Sequence, residues 1–237
     1  MKILLCLLAL TTQLFGQSHS GVVITVHGFL QNERSVYDLQ RALCCVGLKT
    51  YNFHYSSTTG TIRSHGEDLA RFTQCVANQN PGEEINFVTH SLGALLLRVA
   101  SNDPCFPQEA KIGRAVLFAP PSRGSEIGRK YLQFSRLYRC LGFELCHELS
   151  TYDVCDVMEL GPYPECMKIL IIAGCRGSNF FADKVNDGVI ALDETRIEHP
   201  FYFETFYVTH YRILHYPPAL ELTRRFILNE FSDEECD

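Results

Sequence analysis

INFVTHSLGALLL, residues 85–97, carries two patterns that meet at a corner. Ile85, Phe87 and Val88 read as a strand running into a core, and Leu95, Leu96 and Leu97 as a helix packed on that strand. Thr89, His90, Ser91 and Gly93 stand between them. Plain turn residues would suffice for a corner, so a hydroxyl and an imidazole there call for a chemical reason.

Working outward, the alternation of strand and helix repeats. VVITVH (22–27) is a short run rich in β-branched residues, followed by helical spacing at Val36, Leu39 and Leu43. Residues 50–55 alternate as a strand, and 61–78 form an amphipathic helix with Ile62, Leu69, Phe72 and Val76 on one side. RAVLFA (114–119), MKILIIAG (167–174) and YFETFYV (202–208) add three strands, and a last helix runs from about Pro218 to Phe231. Strands alternating with helices predict an α/β fold, with a mostly parallel central sheet covered by helices on both faces. Ligands in such sheets sit beyond the carboxyl ends of the strands.

Ser91 stands at such an end, where the helix begins. T-H-S-L-G (89–93) is a variant of the G-x-S-x-G strand–turn–helix corner, which lifts a serine Oγ into the cleft. Thr89 stands where that pattern has its first glycine, and Gly93 supplies the second. The plainer alternative is a serine that caps the helix. A nucleophilic serine needs a base, and a base needs an acid to orient it. The acid is expected after the strand at 167–174, where Asp183, Asp187, Asp193 and Glu194 are candidates; Asp187 is favoured because Gly188 lets the backbone turn. Asn-Asp-Gly is also an ordinary turn. The base is expected to be His210, at the end of the last strand, with His215 in reserve and His199 at the opposite edge. The backbone N–H groups of Phe29 and Leu92 are the candidate oxyanion donors, with His27 supporting the Gly28 loop.

Composition agrees with one domain. The chain has 237 residues, 46% of them apolar, and a formal charge of -6 with no long basic run, which argues against nucleic acid as a partner. Residues 1–18 are expected to be a secretory signal peptide, with the domain covering 19–237 and the product exported; the alternative is an uncleaved apolar segment that packs on or anchors the domain. Loss of Cys6 would leave ten of the 11 cysteines. Their crowding at Cys140, Cys146, Cys155, Cys166 and Cys175 predicts disulfides, against the alternative of buried thiols. No Cys/His spacing resembles a zinc site, and neither a metal nor an organic cofactor is implied.

VHGF (26–29), THSLG (89–93), NDG (186–188) and VTH (208–210), in this order, resemble the lipase-type α/β hydrolases. KVNDGVIALDETR (184–196) and APPSRGSE (119–126) are similar to segments of bacterial predicted lipases and acyl hydrolases in a branch like the GPI inositol-deacylases. The resemblance covers about residues 21–230 and implies the α/β-hydrolase fold and a serine hydrolase of carboxylic esters, often of lipids. It carries over onto Ser91, Asp187 and His210, with Phe29 and Leu92 as donors. Residues 123–164, rich in apolar and aromatic side chains, form an insertion that reads either as a cap touching an acyl chain or membrane surface, or as ordinary helix on the sheet. An acyltransferase with the same three residues and a non-catalytic binding protein on this scaffold are the rival functions.

Overall fold

The computed structural model describes residues 21–134, 144–151, 153–178 and 183–230. The expected signal peptide lies outside them, as do Leu137, Tyr138, Leu141 and Phe143 of the insertion. Six strands, β1 (Val22–Val26), β2 (Lys49–Phe53), β3 (Ile85–His90), β4 (Arg114–Phe118), β5 (Lys168–Gly174) and β6 (Phe201–Phe206), form one sheet in the order β2-β1-β3-β4-β5-β6. Every neighbouring pair is parallel.

The order explains where a cleft must open. The chain steps from β1 outward to β2, then returns past β1 to β3 and continues in the other direction. Right-handed crossovers then put the two intervening helices on opposite faces of the sheet. Leu39 and Leu43 of α1 (Tyr37–Cys44) pack with Val23, Val88, Val116 and Leu170, joined there by Phe226 of the last helix, α8 (Pro217–Ile227). Ile62 and Leu69 of α2 (Ile62–Gln79) pack on the other face with Ile24, Phe87 and Leu117, together with α3 (Leu92–Ser101). The carboxyl ends of β1 and β3 flank the point of reversal, where loops part and leave a crevice.

β3 is buried along its whole length, and so is α3. Three consecutive leucines suit α3 because every side of it is covered. The sheet lies beneath it and α2 beside it, while Leu145, Val157, Leu160 and Tyr163 belong to the same apolar cluster. The Tyr163 hydroxyl donates to the carbonyl of Ala94 at 3.0 Å. The insertion thus supplies part of the core as well as α5 (Glu126–Phe134), α6 (Glu144–Thr151) and α7 (Val154–Met158).

Two expectations change. The last strand stops at Phe206, two residues early, because the chain turns there: Val208 N–H donates to Phe206 O at 2.7 Å. Cys44, Cys45, Cys75, Cys105, Cys155, Cys166 and Cys175 all carry free thiols. Crowding along a chain does not by itself supply the paired Cβ geometry a disulfide demands. Cys140 and Cys146 lie outside what is described of the side chains.

The α2–α3 crossing permits a stability test. A Cβ at Gly66 would fall 2.4 Å from Val99 Cβ. Alanine gains roughly 1 kcal/mol of helix propensity over glycine, but overpacking costs about 1–3 kcal/mol. Gly66→Ala is therefore expected to lower the urea midpoint at unchanged m value, and a raised midpoint would show that Val99 yields freely.

Candidate active site

Ser91 sits between β3 and α3 at φ 51°, ψ -120°. A non-glycine residue held at positive φ costs roughly 1–3 kcal/mol and persists only where its surroundings over-determine it. Here the Ser91 N–H donates to Phe118 O at 2.8 Å, extending the β3–β4 ladder by one residue, while Ser91 O accepts from Ala94 N–H at 3.0 Å in the first helical turn. Gly93 is demanded by the same corner: a Cβ there would lie 2.7 Å from Val26 O and 2.9 Å from His27 O, so the helix starts directly against the end of β1. Thr89 is buried in the strand, and its Oγ1 has no hydrogen-bond partner. Leu30 and Ala119, beyond β1 and β4, also hold positive φ values of 54° and 44°. Strained backbone therefore gathers at the carboxyl ends of three adjacent strands.

Asp187 and His210 meet across 23 residues of chain. His210 Nδ1 lies 2.7 Å from Asp187 Oδ2, with both side chains almost fully buried. Asp187 Oδ1 accepts from the N–H groups of Val189 at 2.9 Å and Ile190 at 2.7 Å. Both carboxylate oxygens are therefore engaged, one by the turn and one by the imidazole. The backbones are tied as well, His210 N–H donating to Asp187 O at 2.9 Å. Gly188 makes the turn at φ 99°. His210 lies four residues past β6 and not at its end; the turn after Phe206 brings it back to the acid loop.

The rival residues are engaged elsewhere. His215 lies in a 3-10 turn, half exposed, with Nδ1 2.7 Å from Asp38 Oδ2. His199 contacts the carbonyls of Pro164 and Pro200. Asp183 is exposed, and Asp193 pairs with Lys184 at 2.7 Å. Glu194 is buried, with Oε1 accepting from Glu126 N–H at 2.7 Å and Oε2 from Ala191 N–H at 2.9 Å. Burial pushes its carboxyl above the ordinary range despite those two bonds. Its carboxylate thus pins the start of α5 to the acid loop, a role its place in the sequence did not announce. The hydroxyl of Ser125 adds a second pin, donating to Val189 O at 2.7 Å.

Ser91, Leu92, Phe29, Asp187 and His210 all border one cavity of about 750 Å³. Its walls are mostly apolar, from Leu95, Ile190 and, in the insertion, Ile127, Leu132, Leu149 and Val157. As the first helical residue, Leu92 presents an N–H with no acceptor within its own helix. The Gly28 loop is held from beneath. His27 is buried, stacked on Tyr55 at 4.3 Å, and burial lowers its basicity. The Tyr55 hydroxyl donates to His27 O at 2.8 Å.

No protein-family profile and no curated protein matches the chain in sequence. Solved structures do match in shape. A Bacillus licheniformis lipase, BlEst2 in its mature form, superposes with a TM-score of 0.71 at 16% identity, over 87% of this chain and 91% of that one. A metagenomic carboxyl esterase gives 0.67 at 18% identity, over 89% and 76%. Est1E of Butyrivibrio proteoclasticus, solved with ferulic acid bound, gives 0.61 at 15% identity, over 88% of each chain. With its six parallel strands, its two helical layers and its serine corner after β3, this chain has the α/β-hydrolase fold.

Proposed function

We propose that this chain is a serine hydrolase of carboxylic esters, with acyl or lipid esters as substrates. The observation that carries the reading is the buried Asp187–His210 contact of 2.7 Å, which borders the same cavity as Ser91 at its strained corner. Lipases and esterases among the solved structures of this shape support it.

In the reaction, Ser91 Oγ attacks the ester carbonyl carbon while His210 Nε2 takes the hydroxyl proton. Asp187 keeps the other proton on Nδ1 and stabilises the imidazolium. The N–H groups of Leu92 and Phe29 hold the oxyanion of the tetrahedral intermediate. Collapse breaks the bond to the alcohol, which leaves with the proton from His210, and Ser91 carries the acyl group. Water then adds to that carbonyl and gives a proton to His210. The second collapse expels Ser91, which recovers the proton, and the carboxylic acid departs.

The cavity walls support this substrate class. A volume of about 750 Å³ is within the range of ligand pockets. The apolar side chains of α5, α6 and α7 favour an acyl chain, so the insertion acts as a cap. Exposed Leu30, Tyr131, Tyr207 and Tyr211 rim the cavity and suit contact with a lipid surface. The secretory pattern of residues 1–18 supports export, with lipid esters outside the cytosol as substrates. The resemblance of segments 119–126 and 184–196 to the inositol-deacylase-like branch is a resemblance of sequence, and in the structure Ser125 ties to Val189 and Asp187 to His210.

Purified Ser91→Ala is expected to lose on the order of 10⁴-fold or more in ester turnover and all labelling by a fluorophosphonate probe. A folded variant with near-wild-type turnover would end the reading, and an acyltransferase would show itself by product shifting to an added alcohol acceptor.

His210→Ala is expected to match that loss, whereas His215→Ala keeps its activity because its ring pairs with Asp38 at the surface. A dead, folded His215→Ala would reassign the base.

Asp187→Asn removes the charge beside the imidazole and lets the wrong tautomer form, at a cost on the order of 10⁴-fold. Glu194→Gln keeps an oxygen acceptor for one of its two backbone donors and is expected to cost far less. Turnover of both variants at pH 8 decides between them; an active Asp187→Asn beside an inactive Glu194→Gln would transfer the role to Glu194.

A further inference from the structure

His90 is fully buried and faces two loops at once. Its Nδ1 lies 2.8 Å from Gln31 Oε1, and its Nε2 lies 3.0 Å from the backbone oxygen of His210. Gln31 Oε1 also accepts from Gly28 N–H at 2.7 Å. That donor decides which end of the Gln31 amide points inward, since an N–H requires an acceptor. The loop lies directly on the ring: a Cβ at Gly28 would come within 2.9 Å of His90 Nδ1 and 3.1 Å of Ser91 Cβ. The His90 and His210 rings stand 4.7 Å apart, tilted by 47°. One imidazole therefore joins the residue before Ser91 to the loop that presents the Phe29 N–H and to the backbone of His210.

We propose that His90 and Gln31 are positioning residues for ester hydrolysis, holding the Gly28–Phe29 loop and the His210 backbone in register with Ser91. The proposal rests on the function read above and goes beyond it in naming what aligns its parts. Neither residue touches the reacting atoms. Misplacing reacting groups by about 1 Å can cost on the order of 100-fold in rate, which is the size of effect such a tie can control.

Both neighbours of the ring are acceptors, and a neutral imidazole has one N–H to donate. Burial first, and electrostatic interaction with the neighbouring His210 second, hold the His90 pKa well below its ordinary value. The neutral ring thus donates to one of these acceptors while packed against the other, and donates to both when doubly protonated. Gln31→Glu keeps an acceptor for Gly28 and adds a negative charge beside Nδ1, which favours the doubly bonded ring. Gln31→Met keeps the length and removes the acceptor.

Steady-state kinetics on a soluble short-chain ester test the tie in Gln31→Met, Gln31→Glu and His90→Phe, with Ser91→Ala in parallel and folding checked by circular dichroism. Gln31→Met and His90→Phe are expected to lower kcat by on the order of 10- to 100-fold, while KM stays within about threefold. Gln31→Glu is expected to recover most of what Gln31→Met loses. A side chain that only packs would change thermal stability and leave that kcat pattern absent. Gln31 is only partly buried, so its variants carry the test if His90→Phe does not fold. Wild-type kcat in Gln31→Met, or equal losses in Gln31→Met and Gln31→Glu, would overturn the positioning role. An active Ser91→Ala would overturn the hydrolase reading beneath it, whereas an inactive Ser91→Ala beside a fully active Gln31→Met would overturn the positioning role alone.

Discussion

Ser91 is held at φ 51° by the strand before it and the helix after it, and the rest of the site is built around that corner. The conformation is unfavourable in isolation, so something must hold it. Two features do so: the hydrogen bond to Phe118 O continues the sheet through Ser91, and the closeness of Gly93 to the end of β1 sets the entry of α3. Both depend on β3 lying between β1 and β4, which is a property of the whole sheet. A helix buried on every side, as α3 is, then fixes the corner from above.

Asp187 and His210 are fixed differently. Asp187 stands on a loop whose turn uses its own carboxylate, Oδ1 accepting from two backbone N–H groups. Only Oδ2 is left to reach outward, and it finds His210. A second bond, between the backbones, keeps the two loops from sliding apart. Glu194 and Ser125 bind the same loop to the start of α5, so the insertion and the acid loop form one wall of the cavity. A stiff polar floor under apolar walls is the pairing that the proposed ester hydrolysis would use.

Local order was legible before any contact was known. The switch from period two to period 3.6 around Ser91, the Gly93 spacing and the Asp187-Gly188 turn are features of neighbouring residues, and chain periodicity reports neighbours well. Element boundaries moved by a residue or two where a turn bond cut a strand short, as Val208 N–H does after Phe206. Crowding did not pair the described cysteines, because spacing along a chain says little about the Cβ geometry that a bridge needs.

What the sequence alone determined is the α/β alternation, the strand–serine–helix corner and a short roster of acids and histidines, because each depends on residues within a turn or two of one another. The choice within that roster belongs to the tertiary structure. His215 and His210 are five residues apart and chemically identical, yet one pairs with Asp38 at the surface and the other with Asp187 in the interior. Glu194 and Asp187 are both buried, yet only Asp187 faces an imidazole. Gln31 gave no signal, and His90 none beyond its place at the corner, since their link spans 59 residues and the contact from His90 to His210 spans 120. Nothing in local spacing encodes such distances; they exist only once β1 and β3 lie side by side and the last loop folds back over their ends.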